Sequence, residues 1–252
     1  MKKKRQLILF ILIIILLITV STTVFAANWG ESRGNTSNLG VIDTSEPTST
    51  AEISCNTTVA SGNFTTTPAA FGPVVAIGDS GNGDIHFFNA SNCALLKSYT
   101  VGADILSSPA MTNELVYFGA NDGQVYALNY STDPNPTLVW NYSTGSDVRT
   151  PVTLDRTTQI LYVGSDDNQI YALNSTDGTL LWNYTTGNKV RSKGVITPGP
   201  SGPALIIGSD DNKLYILNGS NGIAILPEVV FASPIRGAVI VNNDITIIKE
   251  GT

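Results

Sequence analysis

The 252-residue chain has little of what catalysis and metal binding usually draw on: one histidine, two cysteines and two methionines. A Ser or Cys nucleophile would have to share His86 or a lysine as its base, and no such setting is visible. No Cys-x-x-Cys and no Cys/His cluster is present, so a thiolate metal centre is excluded. Charged residues make up only 13%, and helical 3.6-residue periodicity appears nowhere after residue 27, which excludes a helical bundle.

Long apolar runs are absent except at the start. Lys2, Lys3, Lys4 and Arg5 precede LILFILIIILLITV (Leu7 to Val20), and Val24-Phe25-Ala26 follows. That order reads as a secretory signal cut after Ala26, removing residues 1–26. The alternative is an uncleaved anchor, because the stretch from Leu7 to Ala27 carries no charge and about 20 residues span a bilayer. Either reading exports the protein, to the medium or to the outer face of the cell envelope. Cleavage would remove four of the 14 basic residues and none of the 20 acidic ones, leaving a net charge of −10. A surface that acidic repels nucleic acid and anionic lipid, and any membrane contact would be through the N-terminal segment alone.

What is abundant is Asn, Ser, Thr and Gly, a composition of short strands and turns. Nine Asn-x-Ser/Thr sequons stand at Asn35, Asn56, Asn63, Asn89, Asn129, Asn141, Asn174, Asn183 and Asn218. They suit an exported glycoprotein. They suit equally an Asn-rich turn that copies its sequon each time it is repeated. Cys55 and Cys93 are a candidate disulfide in an oxidising compartment.

The repetition is direct. YVGSDDNQIYALN (Tyr162 to Asn174) is nearly rewritten as IIGSDDNKLYILN (Ile206 to Asn218), as VYFGANDGQVYALN (Val116 to Asn129) and, more loosely, as VAIGDSGNGDIHFFN (Val75 to Asn89). The marker glycines Gly78, Gly119, Gly164 and Gly208 recur at a period in the low forties, which for a unit made of strands indicates β-propeller blades. Each unit reads as four strands. An inner one is rich in small residues, then come ILYVGS-like and QIYALN-like strands, then an outer LLWNYTT-like strand. In QIYALN, Ile170, Ala172 and Asn174 share one face and Tyr171 and Leu173 the other, so neighbouring sheets must stack to cover both. Between the second and third strands the turns place Gly123, Asn168 and Asn212 where a left-handed backbone is needed.

Ala172, Asn174, Asp177, Gly178 and Trp182 resemble the docking motif of the PQQ-like β-propeller repeats, a family that includes quinoprotein dehydrogenases and BamB-type scaffold proteins. The resemblance covers roughly residues 60–252. It implies that a blade's Trp stacks on the motif glycine of the next blade, making Ala127, Trp140, Ala172, Gly178 and Trp182 docking residues. Blade one has Lys97 at the Trp position, and blade four has Leu226 or Pro227. Upstream, Trp29, Arg33-Gly34-Asn35 and Gly40 are similar to a leader that often precedes such propellers.

The expected fold is therefore all-β, with four full four-stranded antiparallel blades in residues 61–252. Pro234 to Thr252 reads as two strands of a fifth unit, which residues 27–60 would complete through Asn38 to Asp43 and Ala51 to Val59. That gives a five-bladed ring closed between its termini. The competing expectation is a truncated larger propeller, whose open flanks would invite self-association.

Adjacent acids such as Asp166-Asp167 and Asp210-Asp211 point apart in a hairpin, so they read as turns and not as a metal site. His86 stands at the position of Tyr126, Tyr171 and Tyr215 and reads as a packing variant. Arg149, Arg191, Lys193 and Arg236 begin inner strands and are a candidate channel-mouth site for an anion or an acidic loop of a partner. No vicinal cysteine pair or calcium set for PQQ is present, and no cofactor is expected. The functional expectation is a non-enzymatic, exported propeller that binds a protein or envelope component. The alternatives are a degenerate quinoprotein and a passive glycosylated envelope module.

Overall fold

The computed structural model describes residue 59 and residues 63–199, 202–237, 239–242 and 244–247. The leader, the expected closing strands in residues 38–58, Cys55, Asn35, Asn56 and residues 248–252 lie outside the described residues. So does the segment from Leu7 to Ala27. Among the described residues no helix is long and apolar enough to cross a membrane.

Four antiparallel four-stranded sheets follow one another, each a meander in chain order. The first holds β1 (Ala69–Phe71), β2 (Val74–Gly78), β3 (Asp84–Asn89) and β4 (Leu95–Thr100). The second holds β5 (Ala110–Met111), β6 (Leu115–Gly119), β7 (Gln124–Asn129) and β8 (Thr137–Ser143). The third holds β9 (Thr153–Asp155), β10 (Ile160–Gly164), β11 (Gln169–Asn174) and β12 (Leu180–Thr185). The fourth holds β13 (Val195–Gly199), β14 (Gly202–Gly208), β15 (Lys213–Asn218) and β16 (Ala224–Val230). A two-stranded pair, β17 (Val239–Asn242) and β18 (Asp244–Ile247), comes last. Among the described residues no strand pairs the first sheet with this last one.

The first strands are shorter than their sequence suggests, two residues in β5 and three in β9. Pro109 and Pro151 lack the N–H that a ladder needs. Side chains replace the missing ladder. Thr150 Oγ1 donates to the carbonyl of Gly164 and accepts from its N–H, both at 2.9 Å, and Ser192 Oγ brackets Gly208 in the same way. The residues at or just before the first strands are also tied across sheets, by Thr67 N–H to Ser108 Oγ (2.9 Å) and by Thr153 Oγ1 to the Gly194 carbonyl (2.9 Å).

The core lies between sheets. Val125, Ala127, Trp140 and Tyr117 of the second sheet pack on Leu161, Val163, Tyr171 and Leu173 of the third, and Tyr162, Ala172 and Trp182 of the third pack on Leu205, Tyr215 and Leu217 of the fourth. Both faces of β11 are buried, as alternation in QIYALN requires. The repeated glycines have a steric cause. A Cβ on Gly78, Gly119, Gly164 or Gly208 would fall 2.2–2.3 Å from a methyl of Ile105, Val148, Val190 or Ile235. Each of those β-branched residues is in the segment leading out of the same sheet, so the glycine lets that segment fold back over its own blade.

Candidate functional site

Two sets of residues link each sheet to the next. The first set is at the outer strand. A bulge after Ala127 and after Ala172 shifts the register beside the tryptophans that face those alanines. Trp140, 8% exposed, lies over Gly178 of the third sheet and donates from Nε1 to the Ser175 carbonyl at 3.1 Å. Trp182 lies over Gly222 of the fourth sheet and donates to the Gly219 carbonyl at 2.7 Å. Gly178 and Gly222 have φ of 74° and 73°, so the same glycine both turns the chain and leaves room for the indole. In the first sheet Lys97 faces Phe87 where Trp faces Ala. Its Nζ reaches the second sheet's turn, donating to the Thr132 carbonyl at 2.8 Å, with Asp133 at 3.6 Å. Leu226 occupies the corresponding place opposite Ile216.

The second set is at the end of the sheets where the GSDDN-type turns meet the segments joining one sheet to the next. Asn168 and Asn212 have φ of 72° and 71°, matching Gly123 at 78°. Within each turn the two acids diverge. Asp167 accepts from the N–H of Gly145 (2.7 Å) and Gln169 (2.9 Å) and from the Tyr171 hydroxyl (2.6 Å). Burial, and then this carboxylate, push the Tyr171 phenol well above the usual tyrosine range. Asp166 turns the other way and takes Arg191 bidentately, Nε to Oδ1 at 2.8 Å and Nη2 to Oδ2 at 2.5 Å, with Lys189 Nζ at 3.2 Å. Burial alone would raise the Asp166 carboxyl, but Arg191 and Lys189 hold it below its ordinary value. Asp210 takes Arg236 in the same fork, at 2.8 Å twice.

The second sheet departs from this pattern because Asn121 stands where Asp166 and Asp210 stand. Asn121 Oδ1 is buried without a hydrogen bond. Arg149, which would be its counterpart, pairs instead with Asp147 at 2.6 Å and leaves its Nε 3.9 Å from Asp166. Arg149, Arg191 and Arg236 do share one end of the sheets, but each faces a carboxylate, so the row alternates in sign. Its guanidiniums stay partly in solvent, with side-chain exposures of 35%, 24% and 54%. Lys193 is buried, at 5% exposure.

Six of the sequon asparagines fall into two structural kinds. Asn89, Asn129, Asn174 and Asn218 end the third strands, and each accepts through Oδ1 from the N–H two residues on, at 2.8–2.9 Å. These are Asx turns, so the fold itself needs Asn there. Asn141 and Asn183 lie on exposed outer strands, each donating from Nδ2 to a glutamine of the third strand. Asn63 is exposed at the start of the first sheet. Cys93 is disulfide-bonded and has φ of 56°.

His86 faces Ile77 as Tyr171 faces Val163, in the tyrosine position. Its Nδ1 is 2.7 Å from Ser98 Oγ and its Nε2 is 3.8 Å from Asp79 Oδ2. The order Ser, His, Asp is that of a hydrolase triad, which sequence spacing did not reveal because Ser98 lies on β4, His86 on β3 and Asp79 just past the end of β2. Ser98 sits mid-strand opposite His86, where backbone N–H groups lie in the plane of the sheet and do not converge on an oxyanion above it.

The family described as outer membrane protein assembly factor BamB matches residues 38–133 and again 133–246. No curated protein matches the chain. Among solved structures, BamB from Moraxella catarrhalis is similar with a TM-score of 0.58 at 15% identity, over 71% of this chain and 52% of that one. The computationally designed Ika4 protein is similar with a TM-score of 0.56 at 16% identity, over 67% of this chain and 99% of that one. At these identities the structures speak for the fold alone, and the chain spans about half the length of the Moraxella protein. With four successive four-stranded sheets and a match over most of its length, the chain belongs to the BamB-type family of PQQ-like repeat proteins.

Proposed function

We propose that the protein is an exported, non-enzymatic β-propeller scaffold of the cell envelope that binds a protein partner at the sheet end carrying Arg149, Lys189, Arg191 and Arg236. One observation carries this reading. The turn acids divide their work: Asp167 and Asp211 hold the turn and its tyrosine, while Asp166 and Asp210 fix Arg191 and Arg236 as partly exposed cations on successive sheets. Such a row suits an acidic loop that meets several sheets at once, with fork-shaped guanidiniums setting its register. The BamB family match supports a scaffold role. It also supports an envelope location, reached through residues 1–26 as a cleaved signal or retained anchor. On this reading the sequons at Asn63, Asn141 and Asn183 are the ones accessible to glycan.

The ring is proposed to have five blades, β17 and β18 being two strands of the last and residues 38–59 supplying the others. A monomeric mass in solution with resistance to protease supports closure; a dimer or aggregate overturns it in favour of an open arc. Partner binding is tested by cross-linked affinity capture from envelope extract at fixed salt. A variant carrying Arg149→Glu, Lys189→Glu and Arg236→Glu, with its melting curve recorded, should lose the partner recovered by the wild type. Unchanged capture by a folded variant would sink the assignment of this face.

A further inference from the structure

We propose that the first sheet holds one divalent transition-metal ion of the Zn²⁺ class between Asp79, Asp84 and His86. In the second, third and fourth sheets this corner is closed by a phenol bonded to an acid of the turn, Tyr126 to Asp122, Tyr171 to Asp167 and Tyr215 to Asp211. The first sheet has neither partner. Its turn, Asp79-Ser80-Gly81-Asn82-Gly83-Asp84, is one residue longer, its acids stand at the two strand ends, and the shorter imidazole replaces the phenol.

The register places the three on one face. The N–H of Asp79 donates to the Asp84 carbonyl at 2.8 Å, so these two residues oppose each other, and His86 lies two residues along β3 from Asp84. One ligand atom from each comes within 4.8 Å of the other two. Donors about 2.1 Å from a tetrahedral ion are roughly 3.4 Å apart, so closing on an ion moves each by about 0.8 Å at most.

The neighbours orient this set. Asp79 Oδ1 is held by the N–H groups of Asn63 (3.0 Å) and Gly81 (2.7 Å), which turns Oδ2 toward the imidazole. Asn82 Nδ2 is 3.4 Å from that oxygen. Thr100 Oγ1 donates to Asp84 Oδ1, leaving the other carboxylate oxygen for a ligand role. His86 is 4% exposed, and its Nε2 is buried without a hydrogen bond. In the tautomer that donates Nδ1–H to Ser98, the Nε2 lone pair faces a carboxylate oxygen across 3.8 Å. Lone pair against lone pair is repulsive, and a cation between them removes the repulsion. The hydrogen-bonded second nitrogen is also what metal-bound histidines show. Imidazole with two carboxylates suits Zn²⁺ or Mn²⁺ and disfavours Ca²⁺.

Because His86 is the only histidine, its ring signals report on the site directly, provided the protein carries no histidine tag. Chelator-stripped wild-type protein titrated with ZnCl₂ should bind one equivalent by calorimetry, melt at a higher temperature, and show the His86 ring signals shifted to saturation at that equivalent. His86→Tyr, which restores the residue of the other sheets, and Asp79→Asn should each weaken binding by at least about 100-fold. The proposal is overturned if the ring signals ignore Zn²⁺ and only titrate with acid, as a simple Asp–His pair would. It is equally overturned if a folded His86→Tyr binds Zn²⁺ like the wild type. Should His86→Tyr fail to fold, the wild-type ring signals decide.

Discussion

Replacing Trp182 by alanine should weaken the junction between the third and fourth sheets and little else. The indole is 8% exposed, lies on Gly222 and bonds the Gly219 carbonyl. Truncating a buried Trp to Ala costs about 3–5 kcal/mol. The lower end applies here, because the Tyr162 hydroxyl also donates to the Gly219 carbonyl, at 3.1 Å, and keeps it from being orphaned. Trp182→Phe, which keeps most of the stacked area, should cost only about 1–2 kcal/mol. Gly222→Ala attacks the same contact from the other side: its Cβ would stand 2.7 Å from the indole, at a φ of +73° that costs a non-glycine residue about 1–2 kcal/mol. The two costs should therefore overlap, the double variant losing about 1 kcal/mol or more less than the sum. Urea unfolding followed by circular dichroism gives the totals. Hydrogen exchange should place the lost protection in β12 and β14 to β16, since a stacked array can open one unit at a time. Strict additivity, or a loss under about 1 kcal/mol for Trp182→Ala, would refute the account of the junction.

Further outcomes follow from the same geometry. Asp166→Asn leaves Arg191 and Lys189 without their carboxylate and should cost about 1–2 kcal/mol near neutral pH, less than a fully buried pair because both cations keep contact with solvent. Since the folded Asp166 carboxyl is held below its unfolded value of 3.8, its contribution is present above that pH and fades as pH falls through the folded value. The wild type should thus lose its advantage over Asp166→Asn below about pH 4 in melting curves taken across pH. Gly164→Ala forces a Cβ to 2.3 Å from Val190 Cγ1 and should cost about 1–3 kcal/mol, relieved in part by Val190→Ala. Asn168→Ala should cost about 1 kcal/mol at its left-handed φ, whereas Asn168→Gly should be nearly neutral.

Much of the fold could be read because each blade repeats the same physical problem. QIYALN alternates so evenly that both faces of β11 had to be covered, and the left-handed Asn168 and Asn212 align with Gly123 without any structure. The period of the marker glycines located the second strands. Their cause could not be read, since it depends on Ile105, Val148, Val190 and Ile235 folding back from 26 to 29 residues later. The arginines at the sheet ends were legible as cations but not as pairs. Whether Asp166 or Asp167 would meet Arg191 depends on which way each side chain leaves the turn. The corner at Asp79, Asp84 and His86 was missed for a related reason. Read by alignment, His86 fills a tyrosine position; only the opposed pairing of Asp79 with Asp84 brings acids to the imidazole. A cue was present in the extra residue of the first turn, where the repeat is least regular.

The cations at the sheet ends are proposed as a protein-binding face on a non-enzymatic scaffold. The most direct measurement is the salt-dependent affinity of the partner recovered from envelope extract, compared between wild type and the Arg149→Glu, Lys189→Glu, Arg236→Glu variant at matched stability. Binding should weaken with rising salt and fall at least about tenfold in the variant, in line with loss of several exposed charge pairs. Equal affinity of both proteins at every salt concentration would contradict it.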